Sequence, residues 1–268
     1  MPRPRVTTTP TVALVTGAAR RIGREIALAL ARDGWDIAVH YASSREEALA
    51  VVAEIAALGR RAVAVNRDLA IESGVRSLIA QVAEELGPVG CVVNNASLFE
   101  FDSAADFSGE RLARHMRVNL TAPMLLAQAL AEQLGKNEQG VVINLLDQKL
   151  WNPNPDFLSY TLSKAALREA TVLLAQALAP KVRVVGIAPG ITLLSERQTA
   201  AGFALAHTKT PLGRSSTPDD VAGAVVYAAR ARALTGTALL VDGGQHLLPS
   251  PRDVMFLTER KKSEKQSV

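Results

Sequence analysis

Short apolar or β-branched runs alternate with longer segments of helical period along most of the chain. The runs at 12–16, 36–41, 61–66, 90–94, 140–146, 182–187 and 237–241 are predicted to be strands. The segments at 21–33, 45–58, 72–86, 109–135, 157–179 and 218–232 are predicted to be helices. Strict strand–helix alternation is the signature of a parallel sheet, because each parallel crossover has to return over a face of the sheet. The expected fold class is therefore α/β, a single doubly wound seven-stranded parallel sheet with helices on both faces. No repeat or low-complexity linker divides it. The ends, 1–10 with three prolines and 258–268 with a run of charge, read as disordered tails around one folded unit at 11–257.

With 268 residues, 48% of them hydrophobic, the chain has apolar material enough for one sizeable core. Cys91 is the only cysteine, which excludes an intramolecular disulfide and any zinc site built from several thiolates, and suits a reducing cytoplasm. No apolar run approaches the roughly 20 residues of a membrane helix, and Val12-Ala13-Leu14-Val15 is too short for a signal-peptide core. Neither a secreted nor a membrane-spanning protein is expected. The net charge of +4 sits in the tails: Arg3 and Arg5 at one end, and Arg260, Lys261, Lys262 and Lys265 against Glu259 and Glu264 at the other. A neutral body without interleaved aromatics offers no continuous basic face, which sets nucleic acid aside. His40, His115, His207 and His246 lack ligand spacing, so no metal site is expected.

Candidate chemistry begins at the first strand-to-helix turn, Thr16-Gly17-Ala18-Ala19-Arg20-Arg21-Ile22-Gly23. Glycines there let backbone N–H groups approach a pyrophosphate, and the helix N-terminus adds partial positive charge. A merely tight turn would look the same in isolation. Enzymes that prefer NAD usually carry an acidic residue near the end of the second strand to hold the ribose 2′-hydroxyl. Here that stretch is His40-Tyr41-Ala42-Ser43-Ser44-Arg45, without a carboxylate. With Arg20 from the first turn, its hydroxyls and guanidinium suit a 2′-phosphate, so NADPH is the expected cofactor. The plainer alternative is that Arg45 opens a solvated helix face with Glu46 and Glu47. Cys91-Val92-Val93-Asn94-Asn95-Ala96-Ser97 closes the fourth strand at its carboxyl edge, where open sheets bind ligands. Asn119 is a polar amide among apolar neighbours and needs a partner. Tyr160 and Lys164 share one helix face, where the ammonium is expected to lower the tyrosine pKa and make it a proton donor near neutrality.

The glycine turn, Asn94-Asn95-Ala96, Tyr160-x-x-x-Lys164 and Pro189-Gly190, in that order, resemble the short-chain dehydrogenase/reductase family over about residues 11–246. Asp68 and Leu69 after strand three, where the family contacts adenine, and Asp242-Gly243-Gly244 after the last strand extend the likeness. The resemblance implies a Rossmann-type fold. Departures from the common pattern narrow it. The residue thirteen before the tyrosine, usually a serine, is Asp147, and the middle glycine of the first turn is Arg21. Both changes together, with Asn-Asn-Ala-Ser97-x-Phe99, resemble the pteridine reductases, including dihydromonapterin or dihydrofolate reductase-like members.

That resemblance implies NADPH held by Gly17, Arg20, Arg21, Ile22, Gly23, Tyr41, Ser43, Ser44, Arg45, Asp68, Leu69, Asn95, Ala96, Ser97, Tyr160, Lys164, Pro189, Gly190 and Thr192. It implies a pterin or folate between Phe99 and the nicotinamide, contacted by Arg21, Ser97, Asp147 and Tyr160. Catalysis would fall to Asp147, Tyr160, Lys164 and Asn119, the last positioning a water or the helix itself. A carboxyl beside a tyrosine can relay a proton to a ring nitrogen, where serine would only hold a carbonyl. Phe99 could instead be a hydrophobic plug, Arg21 only a phosphate clamp, and His40 a wall of the adenine pocket or a strand terminus. Trp35 and Trp151 read as packing residues, although Trp151 could border the substrate. Segment 193–213 falls where the family keeps a mobile lid. Two other functions stand beside this one: a conventional carbonyl or alcohol oxidoreductase, and a non-catalytic NADP(H)-binding sensor. Helix 157–179, apolar nearly all round, and 120–131 need a partner beyond their own sheet, and the family usually forms homotetramers through such helices.

Overall fold

The computed structural model describes residues 9–194 and 198–258. The tail expectations for 1–8 and 259–268, and part of the expected lid, 195–197, lie outside the described residues. Seven strands, β1 (Val12–Val15), β2 (Asp36–Tyr41), β3 (Ala62–Asn66), β4 (Val89–Asn94), β5 (Gly140–Leu145), β6 (Val182–Pro189) and β7 (Thr237–Val241), form one sheet in the order β3-β2-β1-β4-β5-β6-β7. Every pairing is parallel. The order reverses direction between β1 and β4, and the loops leaving β1, β4, β5 and β6 converge beside that point, the usual ligand crevice of such sheets.

Side chains leave a strand on alternate sides, and both sides here are dry. Ala13 and Val15 of β1 pack with helices α1 (Arg21–Arg32), α2 (Arg45–Ala57) and α8 (Pro218–Arg230). Val12 and Leu14 pack on the opposite face with α3 (Glu72–Leu86), α5 (Ala122–Gln133) and α6 (Leu158–Leu178). Thr217 caps α8 reciprocally with Asp220, and Pro218 supplies its pre-set first position. Among the described residues no helix is long and apolar enough to cross a membrane.

The helix expected over 109–135 is divided. Helix α4 (Gly109–Met116) passes through a π-helical turn at Arg117–Thr121 into α5. Pro123 has no N–H to give the carbonyl of Asn119 four residues back, so a regular α-helical ladder cannot run through this stretch. Strand β6 runs to Pro189, two residues beyond its expected end. Two short helices were not expected: α7 (Ala200–Thr208), inside the segment read as a lid, and α9 (Val254–Thr258), which lies against the site. The latter lacks any long periodic pattern; among its described side chains Met255 is the buried one.

Candidate active site

The first loop is tied to the fourth strand through Thr16. Its hydroxyl donates to the carbonyl of Val93 (3.2 Å) and accepts from the N–H groups of Asn95 and Ala96, both at 3.0 Å. Asn95 Nδ2 returns hydrogen bonds to the carbonyls of Thr16 (2.9 Å) and Gly17 (3.2 Å). A side chain at Gly23 would place its Cβ 2.2 Å from the Gly17 carbonyl oxygen, so only glycine lets α1 start this close to the turn. His40 is an organiser of this turn that sequence reading left undecided. Its Nδ1 accepts the Gly17 N–H at 3.1 Å and its Nε2 faces the Arg67 carbonyl at 3.0 Å, which fixes the Nε2–H tautomer. Burial pushes its pKa down to about 4, so it stays neutral.

Arg21 stands in the left-handed region at φ 53°, where the family pattern has glycine. Both terminal nitrogens donate to the carbonyl of Leu194 at 3.1 Å, joining the first turn to the segment after β6. Backbone strain of this kind is retained where the side chain is needed. Arg20 reaches Glu47 at 2.9 Å, which lays its guanidinium along the first turn of α2, the helix that Arg45 opens directly after Ser43 and Ser44. Asp68 is exposed and accepts the Ala70 N–H at 2.8 Å, while Leu69 beside it is buried. Beyond β6, Thr192 Oγ1 donates to Gly190 and shares a 2.8 Å hydrogen bond with Ser216.

The expected reacting groups meet at the ends of β4 and β5. Asn119, in the π-helical turn, accepts from the Leu98 N–H (2.8 Å) and from Ser97 Oγ (3.3 Å), and donates to the Leu98 carbonyl and to Ser163 Oγ, both at 2.9 Å. It thereby ties the loop after β4 to α6. Asp147 accepts the Tyr160 hydroxyl at 2.8 Å on one oxygen and the Lys149 N–H at 2.8 Å on the other. Asp147 is half-buried with its carboxyl enclosed by protein, and that desolvation raises its pKa against the pull of these hydrogen bonds.

The structure corrects one expectation here. Lys164 does not lower the Tyr160 pKa; burial, then the charge and hydrogen bond of Asp147, raise it well above 10. The ammonium lies 5.9 Å from the phenol ring centre and donates instead to the Leu145 carbonyl at 2.6 Å. Burial brings Lys164 itself down to about 8. An anion in direct contact outweighs a cation across the ring.

Phe99 is 45% exposed, stacks on Phe157 with ring centres 4.3 Å apart, and meets Tyr160 edge-on at 4.7 Å. Phe157, which sequence reading passed over, adopts φ 57° at the start of α6, and buried Asp102 caps that helix by accepting from the N–H (2.9 Å) and hydroxyl of Ser159. Trp35 packs in the core, and Trp151 packs with Leu146 and Leu167 beneath the Arg168 guanidinium.

Residues 11–202 match the short chain dehydrogenase family model. FolM alternative dihydrofolate reductase 1 from Brucella canis, solved with NADP, is 41% identical and superposes with a TM-score of 0.86 over 93% of this chain and 98% of that one. An uncharacterized oxidoreductase of Methylorubrum extorquens is 37% identical over 87% of this chain and 96% of its own length. L-rhamnose 1-dehydrogenase (NAD(P)(+)) of a Sphingomonas species is 35% identical over 87% and 95%.

Proposed function

The chain belongs to the short-chain dehydrogenase family, and from that premise we propose that it is an NADPH-dependent reductase of pteridines, taking a dihydropterin or dihydrofolate-type substrate. The observation that carries this reading is the 2.8 Å hydrogen bond from Tyr160 to Asp147, a carboxyl where the common family pattern has a serine hydroxyl. The aromatic face of Phe99 beside it suits a flat heterocycle. The FolM reductase likeness supports the same substrate class.

The residues present fit the cofactor. The Gly17–Gly23 approach sets the start of α1, whose first-turn N–H groups have no acceptor within the helix, where a pyrophosphate would lie, with neutral His40 holding the turn. Arg20, Ser43, Ser44 and Arg45 collect beside the end of β2, where an acidic residue would exclude a 2′-phosphate. On this reading Asp68 and Leu69 would flank the adenine, and Ile22, Tyr41, Asn95, Ala96, Pro189, Gly190 and Thr192 would hold the rest of the cofactor. When bound, NADPH supplies a hydride.

The chain's own residues then deliver the proton. Asp147, disposed by burial to keep its proton, is the acid: as the Tyr160 hydroxyl turns from it and gives its own hydrogen to a ring nitrogen, the Asp147 proton passes to the tyrosine oxygen, so the tyrosine never persists as the phenolate that burial disfavours. Lys164, reaching β5 through Leu145, contributes positive charge on the nicotinamide-ribose side. Asn119 holds the β4 loop, and with it Ser97 and Phe99, in place against α6. Arg21 reaches from the first turn to the segment beyond β6, which places its charge over the cleft. The enzyme is proposed to act in the cytoplasm as a homotetramer.

Oxidation of NADPH measured across dihydropteridines, dihydrofolate and a panel of carbonyls and sugars tests the reading. Pteridine turnover is expected, and turnover of carbonyls or sugars without pteridines would install the conventional oxidoreductase instead. Binding without any turnover would leave an NADP(H) sensor. NADPH should bind more tightly than NADH by about 1.5–3 kcal/mol in calorimetry, one charge-assisted contact to the 2′-phosphate.

A further inference from the structure

Behind Asp147 lies a second buried charge that the chemistry above leaves unused. Lys149 is 3% exposed. Its ammonium donates to the Asp156 carbonyl at 2.5 Å, stands 3.6 Å from the Asp253 carboxylate, and lies 5.4 Å from the centre of the Phe157 ring. Its own N–H is the donor to Asp147. Asp253 arrives from the C-terminal segment just before α9 and gives its N–H to Asp156 at 2.7 Å. Arg252 grips both oxygens of Asp156 at 3.0 and 2.8 Å, and Met255 is buried against Phe157 and Tyr160. A lysine is retained at such burial only with partners at hand, and a clip serving packing alone has no need of one.

We propose that Lys149 and Asp253 are positioning residues that act with opposite sign on Asp147, deciding how readily it carries the proton for delivery, so that the C-terminal segment belongs to the proton-delivering apparatus. This rests on the reading of Asp147 as the proton source. The groups that face Asp147 are Tyr160 and Lys164 from α6, Lys149 from its own turn and Asp253 from the C-terminal segment, with Asp156 and Arg252 behind them. An anion at 253 disfavours ionised Asp147 and a cation at 149 favours it. Cutting either one away leaves the other uncompensated.

The test is an infrared pH titration of the protonated carboxyl band in the full-length protein saturated with NADP, the band being assigned by its loss in Asp147→Asn. Asp253→Asn should move the midpoint down and Lys149→Met should move it up, each by about one pH unit. The alkaline limb of the NADPH-dependent rate profile should move in the same two directions. A merely structural role cannot give shifts of opposite sign, so equal midpoints, or two shifts in one direction, overturn the proposal. If Lys149→Met fails to fold, the direction of the Asp253→Asn shift decides alone. The infrared readout needs no substrate, so absence of pteridine turnover would sink the proposed function and leave this inference to stand or fall separately.

Discussion

Asp147 is placed where its charge is disfavoured, and stability and catalysis should therefore pull apart at this residue. Its pKa in the folded chain lies above the ordinary carboxylate value, chiefly through desolvation. A group of that sign contributes stability that is fully present in acid, below the unfolded value, and is lost as pH rises through the folded value. Asp147→Asn cannot ionise and avoids that loss. Thermal unfolding at about pH 5 and about pH 8 should show the variant gaining on the parent toward the higher pH, where an ionised carboxylate is held against its preference. Asp147→Ser, which recreates the common family arrangement, should lower dihydropteridine turnover about 10²–10⁴-fold with NADPH affinity little changed. Retained turnover in the serine variant would show that the carboxyl is not the proton source.

At the scale of elements, Phe99 shows what the chain pattern discloses and what it hides. Its place after the Asn-Asn-Ala stretch marked it as a stacking candidate, but not that its ring would already be stacked on Phe157 and set against Tyr160. Phe99→Ala should raise the KM for a dihydropteridine about fivefold, matching about 1 kcal/mol of stacking, with kcat close to the parent value. A fall in kcat comparable to that of Asp147→Ser would instead make Phe99 a support for the tyrosine. The strands and most helices were legible because their periods are strong and the sheet is buried on both faces. The interruption at Arg117–Thr121 was not, since a helical period continues through it and only Pro123 hinted at the break. His40, Lys149 and Asp253 were illegible for a different reason: each acts through a residue far from it in sequence, and no local spacing records such a contact. The tyrosine pKa was misjudged because the Tyr160-x-x-x-Lys164 spacing shows in one helix, whereas the burial that dominates it, and the strength of the contact with Asp147 from the turn after β5, are set by packing that no spacing records.

For the molecule as a whole, the outer side of α6 is the feature its own fold does not account for. Leu162, Val172 and Leu173 are 46%, 37% and 63% exposed, and Met124 of α5 is 40% exposed. Isolated exposed apolar residues are ordinary, but several on neighbouring long helices whose other faces are buried form a patch that a second copy can cover by two-fold pairing. Light scattering at micromolar concentration should therefore report a dimer at least, and a tetramer if the proposed assembly holds. Leu173→Glu distinguishes an interface from an incidental patch. In a lone chain this exposed position should change stability by no more than about 0.5 kcal/mol, so the far-ultraviolet circular dichroism and the NADPH affinity should persist. Within a covered interface the same change buries an unpaired carboxylate, whose desolvation no neighbouring apolar side chain can offset. The variant should then elute as a smaller species while remaining folded. A parent protein that is monomeric at these concentrations, or a variant indistinguishable from it in mass, would leave α6 facing solvent and remove the helices from the assembly argument.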